Sequence, residues 1–366
     1  MNKEEIRHIL ALLEIKDLGS VSIRKIIQTF GSAIKVFYLQ PEEIASLTGI
    51  KLDIATKIKS FNNWQKIDNF INLCEKRQIK ILSITDEEYP QLLKEIYDPP
   101  AVLFCKGTLL PQDNFGLAVV GSRKLTDYGK RVTEKFSFEL ASCGITIVSG
   151  LARGIDSVAH LSALSAQGRT IAVLGSGILK IYPPENKKLS EQIIQSGAIL
   201  SEFYPETPPK RENFPKRNRI ISGMTLGTLV TEATTNSGAL ITAKLALEQG
   251  REVFAVPGNI TSKNSEGTNF LIKNGAKLVQ KIDDILEEIK PFIPSLKESI
   301  ISLESNIKVD LNNEENAIFS LLDRPLNLDE IVINTELSIS RVLEILLKLE
   351  INGLITRFEG KYVRRI

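Results

Sequence analysis

Five cations and one anion fall within ten residues at Lys210-Arg211-Glu212-Asn213-Phe214-Pro215-Lys216-Arg217-Asn218-Arg219. Cations neutralise phosphates, the amides of Asn213 and Asn218 hydrogen-bond them, and Phe214 offers its face to an unstacked base. That mixture suits single-stranded nucleic acid, where stacking on an aromatic contributes ~1–3 kcal/mol per base. A bare charge run usually reads as a solvated surface loop; the interleaved aromatic and amides set this one apart. A helix opening near Pro215 would also aim its N-terminus at the bound anion.

Glycine-rich loops supply a second set of candidates. Gly121-Ser122-Arg123, Ser149-Gly150-Leu151-Ala152-Arg153-Gly154-Ile155-Asp156 and Gly175-Ser176-Gly177 each follow a short apolar run. Glycine lets backbone N–H groups approach a phosphate, and Arg123 and Arg153 bring full charges. Ser149, Gly150, Ser237, Gly238, Asn259 and Asn269 sit in similar strand-end loops and are further candidate phosphate contacts. The dinucleotide fingerprint G-x-G-x-x-G is incomplete after Gly121, where Lys124, Leu125 and Thr126 stand, and Gly175-Ser176-Gly177 lacks its third glycine. No G-x-x-x-x-G-K-S/T occurs either, so we expect no nicotinamide or flavin cofactor and no P-loop.

Catalytic constellations are absent. The two histidines, His8 and His160, make no Ser-His-Asp or Cys-His arrangement. Asp156 reads as a helix N-cap and His160, one turn on, as a packed side chain. Glu232, at a strand end, is the one carboxylate in a loop setting able to do acid–base work. Cys74, Cys105 and Cys143 are too few and scattered for a disulfide framework or a zinc site, so no metal is expected.

The elements that must position these residues form an α/β pattern. The runs 117–120, 145–148 and 171–174 have the length and β-branched content of strands buried on both faces, and helical patterns follow each. Further strands read at 198–201, 226–230, 253–256 and 277–279. This alternation means an extended Rossmann-like parallel sheet whose loops gather at the carboxyl ends of the strands. A strand near Ile79, a helix opening near Asp86-Glu87-Glu88 and a strand at 101–104 should extend the sheet at one edge. The segment Pro205 to Arg219 reads as a loop over one end of it.

On either side stand smaller units. Residues 1–62 read as short helices, and the glycine turns at Leu18-Gly19-Ser20-Val21 and Leu47-Thr48-Gly49-Ile50 resemble helix-hairpin-helix units. These could offer amides to a phosphate, aided by Lys16, Arg24 and Lys25, or simply pack. Residues 63–289 hold the sheet domain, 290–313 a polar linker broken by Pro291 and Pro294, and 314–366 a helix-helix-helix-hairpin order, that of a winged helix. The third of those helices exposes Arg341, Glu344, Lys348 and Glu350, which nearly cancel, whereas a DNA recognition helix carries a positive excess. It reads more as a protein-contact or weak DNA-binding module.

At 366 residues, 43% hydrophobic, 25% charged and a net charge of +2, the chain is an ordinary globular protein of two or three domains. Its charged start lacks an apolar run behind it and nothing approaches ~20 apolar residues, so we expect no signal peptide, no membrane span and a cytoplasmic location.

These loops carry a family likeness. Gly121-Ser122-Arg123, the 149–156 run, Tyr182-Pro183-Pro184-Glu185-Asn186, Phe214 to Gly223 and Gly250 to Gly258 resemble, in order and spacing, the DNA-processing protein A (DprA/Smf) family. The flanks resemble that family's helical (SAM-like or helix-hairpin-helix) and winged-helix domains. The resemblance implies a non-enzymatic single-stranded DNA-binding protein of natural transformation, one that protects incoming DNA and loads a RecA-type recombinase. It also implies a homodimer through the Rossmann-like domain, with Ile241, Leu245, Phe254 and Leu271 as plausible pairing positions. Carried over, Gly121, Ser122 and Arg123 hold phosphate, while Arg153, Phe214, Lys216, Arg217, Asn218 and Arg219 line the strand's path. The family often has a lysine after Tyr182-Pro183; Pro184 and Glu185 stand there, and Lys187 or Lys188 is the expected substitute. The alternative is a Rossmann-like nucleotide-binding enzyme, because Gly223 to Glu232 loosely resembles the turn of cytokinin-activating phosphoribohydrolases. Met224 and Thr225 replace that turn's first glycines.

Overall fold

The structure, a computed structural model, describes residues 3–293, 312–322, 326–335, 337–351, 355–358 and 361–364. The chain divides near residue 296 into two units, which we describe separately.

The first unit opens with six helices: α1 (Lys3–Leu13), α2 (Ser20–Phe30), α3 (Ala33–Val36), α4 (Pro41–Thr48), α5 (Leu52–Lys59) and α6 (Trp64–Lys76). Both glycine turns precede a helix as their spacing requires, with Gly49 left-handed at φ 69°. These helices share one apolar core with a face of the sheet: Ile6, Ile9, Ile26 and Ile58 belong to the same cluster as Ile81, Phe104 and Ile199. Arg24 reinforces that join by donating to the Ile96 carbonyl at 2.8 Å.

The sheet comprises β1 (Lys80–Ser83), β2 (Val102–Gly107), β3 (Leu117–Val120), β4 (Ile147–Ser149), β5 (Thr170–Val173), β6 (Ala198–Ser201), β7 (Gly227–Val230), β8 (Glu252–Ala255) and β9 (Lys277–Leu278), in the order β1-β2-β6-β5-β4-β3-β7-β8-β9. From β6 to β9 every pair is parallel; β2 runs antiparallel to both β1 and β6 and extends the edge. Successive side chains serve opposite cores, as a strand covered on both faces demands: Val102 and Phe104 on one side, Leu103 and Cys105 on the other.

The connecting helices are α7 (Gln91–Glu95), α8 (Asp127–Ser142), α9 (Ile155–Ser165), α10 (Lys187–Ser196), α11 (Asn213–Gly223), α12 (Gly238–Glu248), α13 (Glu266–Lys273) and α14 (Asp283–Ile289). Two expectations need correction. The helix read at Asp86-Glu87-Glu88 starts after Pro90 instead, because Asp86 closes a turn by accepting from the Ser83 N–H at 2.8 Å. The basic segment is a loop only as far as Glu212, and from Asn213 it is helix α11.

Strand order turns around at β3, with β4 on one side and β7 on the other. In an open α/β sheet that switch point leaves a crevice outside the strands' carboxyl ends.

The second unit packs α15 (Asn313–Leu321), α16 (Leu328–Thr335) and α17 (Ile339–Ile351) with the hairpin β10 (Ile355–Phe358) and β11 (Lys361–Arg364). Asn312 and Glu315 cap α15 reciprocally, at 2.9 and 3.0 Å. Ile318, Ile331, Val342, Leu346 and Tyr362 fill its core. This is the winged-helix order; the turn at 359–360 lies outside the described residues, as does most of the 290–313 linker.

Candidate nucleic-acid interface

A cleft of about 800 Å³ opens at the switch point, between the loops that follow β3 and β7. The β3 loop brings Gly121, Ser122, Arg123 and Lys124; the β7 loop and the start of α12 bring Thr234, Asn236, Ser237 and Gly238; α11 and its approach bring Arg211, Phe214, Arg217 and Asn218. Asp156 and Tyr182 complete the walls.

Local structure fixes each group. Ser122 donates to the Lys124 carbonyl at 2.8 Å and accepts from the Lys124 N–H at 3.1 Å, which closes the β3 turn. Ser237 caps α12 by accepting from the Ala239 N–H at 3.3 Å, and Ser237, Gly238 and Ala239 at the start of that helix line the cleft. Phe214 lies against the backbone of Gly175, where a Cβ would come within 2.7 Å of the ring. Tyr182 stands beside it with centroids 5.7 Å apart, and the Arg123 guanidinium lies 5.5 Å from the Phe214 centroid. The cation thus sits over the ring, in a cation–π arrangement.

The cations differ sharply in what they face. Arg123, Lys124 and Arg211 are exposed and have no carboxylate partner among the described residues. Arg217 is only 3% exposed: Nη1 donates to the Gly150 carbonyl at 2.7 Å and to the Val173 carbonyl, and Nε donates to Asn218 Oδ1 at 3.1 Å. A side chain at residue 150 would overlap the guanidinium, so Gly150 supplies its seat. Burial pulls the Arg217 guanidinium down to about 10, with Asp156 opposing and Arg123 adding to the fall. Asp156 Oδ2 accepts from the Gly150 and Ala152 N–H groups at 3.1 and 3.2 Å. Burial pushes its carboxyl up, against the pull of Arg217 and those amides.

Other candidates lie elsewhere. Arg219 does not line the cleft: it is held bidentate by Glu202 at 2.7 and 2.8 Å and by Asp98 at 2.9 Å. Arg153 pairs with Glu185, the residue standing where a lysine was expected. Lys187 opens α10 and Lys216 lies on α11, both exposed and outside the cleft lining. Ser149 donates to the Val119 carbonyl at 2.6 Å and holds β4 to β3. Asn259 accepts from the Thr261 N–H and hydroxyl, and Asn269 exchanges bonds with the Gly258 backbone, so both amides brace their own loop. Glu232 is no free acid–base group: 2% exposed, it accepts from the Thr126 N–H at 3.0 Å and hydroxyl at 2.6 Å and anchors the start of α8.

Sequence reasoning missed Lys124, Tyr182 and Asn264 as lining residues. Lys124 and Tyr182 adjoin quoted motifs, whereas Asn264 is drawn in by donating to the Lys124 carbonyl at 3.2 Å, a contact no local pattern announces. Among the described residues no helix is long and apolar enough to cross a membrane, and no cluster of His, Cys, Asp and Glu could hold a metal ion.

The family model for DNA recombination-mediator protein A matches residues 80–290, and that for the DprA winged helix domain matches 306–361. Protein Smf of Escherichia coli is 40% identical over 321 residues, 87% of this chain and 85% of that protein. DNA processing protein DprA of Bacillus subtilis is 44% identical over 228 residues, 62% and 76% of the two chains. Among solved structures, DprA from Streptococcus pneumoniae superposes with a TM-score of 0.67 at 38% identity, covering 77% of this chain and 97% of that one. DprA from Helicobacter pylori, described with a single-stranded DNA binding mode, gives 0.52 at 31% identity over 57% and 94%. With its sheet domain and its winged helix both matched, this chain belongs to the DprA/Smf family of DNA-processing proteins.

Proposed function

We propose that the protein binds single-stranded DNA in the switch-point cleft, without catalysis, and passes it to a RecA-type recombinase during natural transformation in the cytoplasm. The observation that carries this reading is the convergence in one cleft of Phe214 with three cations, Arg123, Lys124 and Arg211, that have no carboxylate partner among the described residues. Backbone phosphates meet the cations, the Ser122 turn and the α12 N-terminus, while a base stacks on Phe214. Family membership supports the recombinase and transformation roles. Arg123→Ala should weaken oligothymidylate binding, read by fluorescence anisotropy at moderate salt; unchanged affinity contradicts the assignment. Loading is tested by strand exchange on DNA precoated with single-strand-binding protein, where the wild type should remove the lag.

For a homodimer, Ile241 remains exposed, but Phe254 and Leu271 are buried within the protomer, at 0% and 8%, and cannot pair. Leu247, Phe270 and Leu278, all exposed in the same stretch of chain, are better candidates. The phosphoribohydrolase reading loses its acid–base group, since Thr126 takes both oxygens of Glu232.

A further inference from the structure

The loop after β4 brings a fourth cation to the edge of the cleft, just outside its lining. Gly154 packs so closely on the β3 turn that a Cβ there would come within 2.3 Å of the Ser122 carbonyl oxygen and 2.8 Å of the Arg123 backbone. The Ile155 N–H donates to the same Ser122 carbonyl at 3.1 Å. Arg153, one residue before this contact, is thereby placed beside Arg123, but its guanidinium is taken: Nε donates to the Glu185 carboxylate. Tyr182, which walls the cleft, also acts on that guanidinium. Asn186 makes the pairing a built feature. Its Nδ2 donates to the Leu151 carbonyl and to Ser157 Oγ, both at 2.8 Å, and so ties the residue next to Glu185 onto the Arg153 loop. With both backbones held, the ion pair gives up less freedom on forming than an ordinary exposed pair does. Each partner keeps the other ionised, since their hydrogen bond raises the Arg153 guanidinium and lowers the Glu185 carboxyl. Both side chains are nonetheless about half exposed, at 56% and 51%, so a phosphate reaches them from solvent.

We infer that Glu185 is an affinity-setting residue: it holds Arg153 in an ionic latch at the edge of the cleft and withholds that cation from a bound strand. This rests on the single-strand reading above. A strand is then gripped by three cations where four stand, and the Glu185 carboxylate repels any phosphate that approaches Arg153. Both effects weaken the grip and speed release, as a protein that passes its strand on requires. The latch acts on the phosphate backbone alone, so it changes affinity and residence time without changing which bases are accepted.

The test is a double-mutant cycle on oligothymidylate binding, read by fluorescence anisotropy across a salt series, with release followed by stopped flow. Glu185→Gln should tighten binding about fivefold at moderate salt, the worth of one adjacent charge pair in water. The salt slope should steepen by about 0.7, as one added phosphate contact on a single strand requires, and release should slow in proportion. Adding Arg153→Ala to Glu185→Gln should cancel that gain, so Arg153→Ala costs several times more affinity there than in the otherwise wild-type chain. Unchanged affinity and slope in Glu185→Gln overturn the inference. A gain that survives Arg153→Ala overturns it too, by assigning the effect to the carboxylate's charge alone, as does an equal cost of Arg153→Ala in both backgrounds. In each of these cases single-strand binding itself stands. Failure of the wild-type protein to bind the strand even at low salt overturns that reading, and this inference with it.

Discussion

The switch-point cleft and the third helix of the winged-helix unit, α17, both carry cations on their surface, yet those cations face different things. Arg123, Lys124 and Arg211 have no carboxylate partner among the described residues, and the Arg123 guanidinium lies over the Phe214 ring, 5.5 Å from its centroid. On α17, Arg341 is held by Glu314 and Glu344, both at 2.8 Å, and Lys348 by Glu315 at 2.5 Å. Between these pairs Ile339, Leu343 and Leu347 lie exposed along one side of the helix. A count of basic residues therefore misjudges available charge; a phosphate responds only to a cation not already neutralised within the protein.

The sharpest way to break this contrast is to remove the free cations together. Arg123→Ala, Lys124→Ala and Arg211→Ala combined should lower single-strand affinity at least a hundredfold at moderate salt. The salt slope should lessen by about 2, as three lost phosphate contacts require. Phe214→Ala should cost ~1–3 kcal/mol of binding with that slope unchanged, and Phe214→Trp should restore most of it; both are read by anisotropy.

A third prediction concerns charge beneath the cleft. His160 is fully buried, and its Nδ1 donates to Thr170 Oγ1, which itself donates to the Ile147 carbonyl. Burial, aided by Arg217, lowers the imidazole to about 3, so it stays neutral in the fold. The unfolded chain takes up that proton near 6.5 and the folded one does not. Stability is thus fully present above about pH 6.5 and declines as pH falls toward 3. His160→Gln should flatten that part of the urea-midpoint profile against pH.

The smallest effect is expected on α17. Arg341→Ala should change single-strand affinity less than twofold and leave the urea midpoint almost unchanged, as for an exposed ion pair. A large loss of binding there would erase the contrast between the two regions.

Much of this was legible in the sequence, for reasons that differ from element to element. The strands read well because 117–120 and 198–200 are apolar at every position, the mark of burial on both faces. The winged helix read well because its helices begin at local capping signals such as Asn312 and Glu315. What the sequence could not give was pairing across the fold. Arg219 and Arg217 look equivalent two residues apart, yet on α11 one turns to Glu202 and Asp98 and the other to the Gly150 backbone. Glu232 looked available because Thr126, its partner, lies 106 residues away.

The most direct test of the central claim is a titration of wild-type protein with single- and double-stranded DNA of one sequence across a salt series. The account predicts tighter binding of the single strand at every salt concentration, with its affinity falling steeply as salt rises. Equal affinity for the two forms, or single-strand binding indifferent to salt, would contradict it.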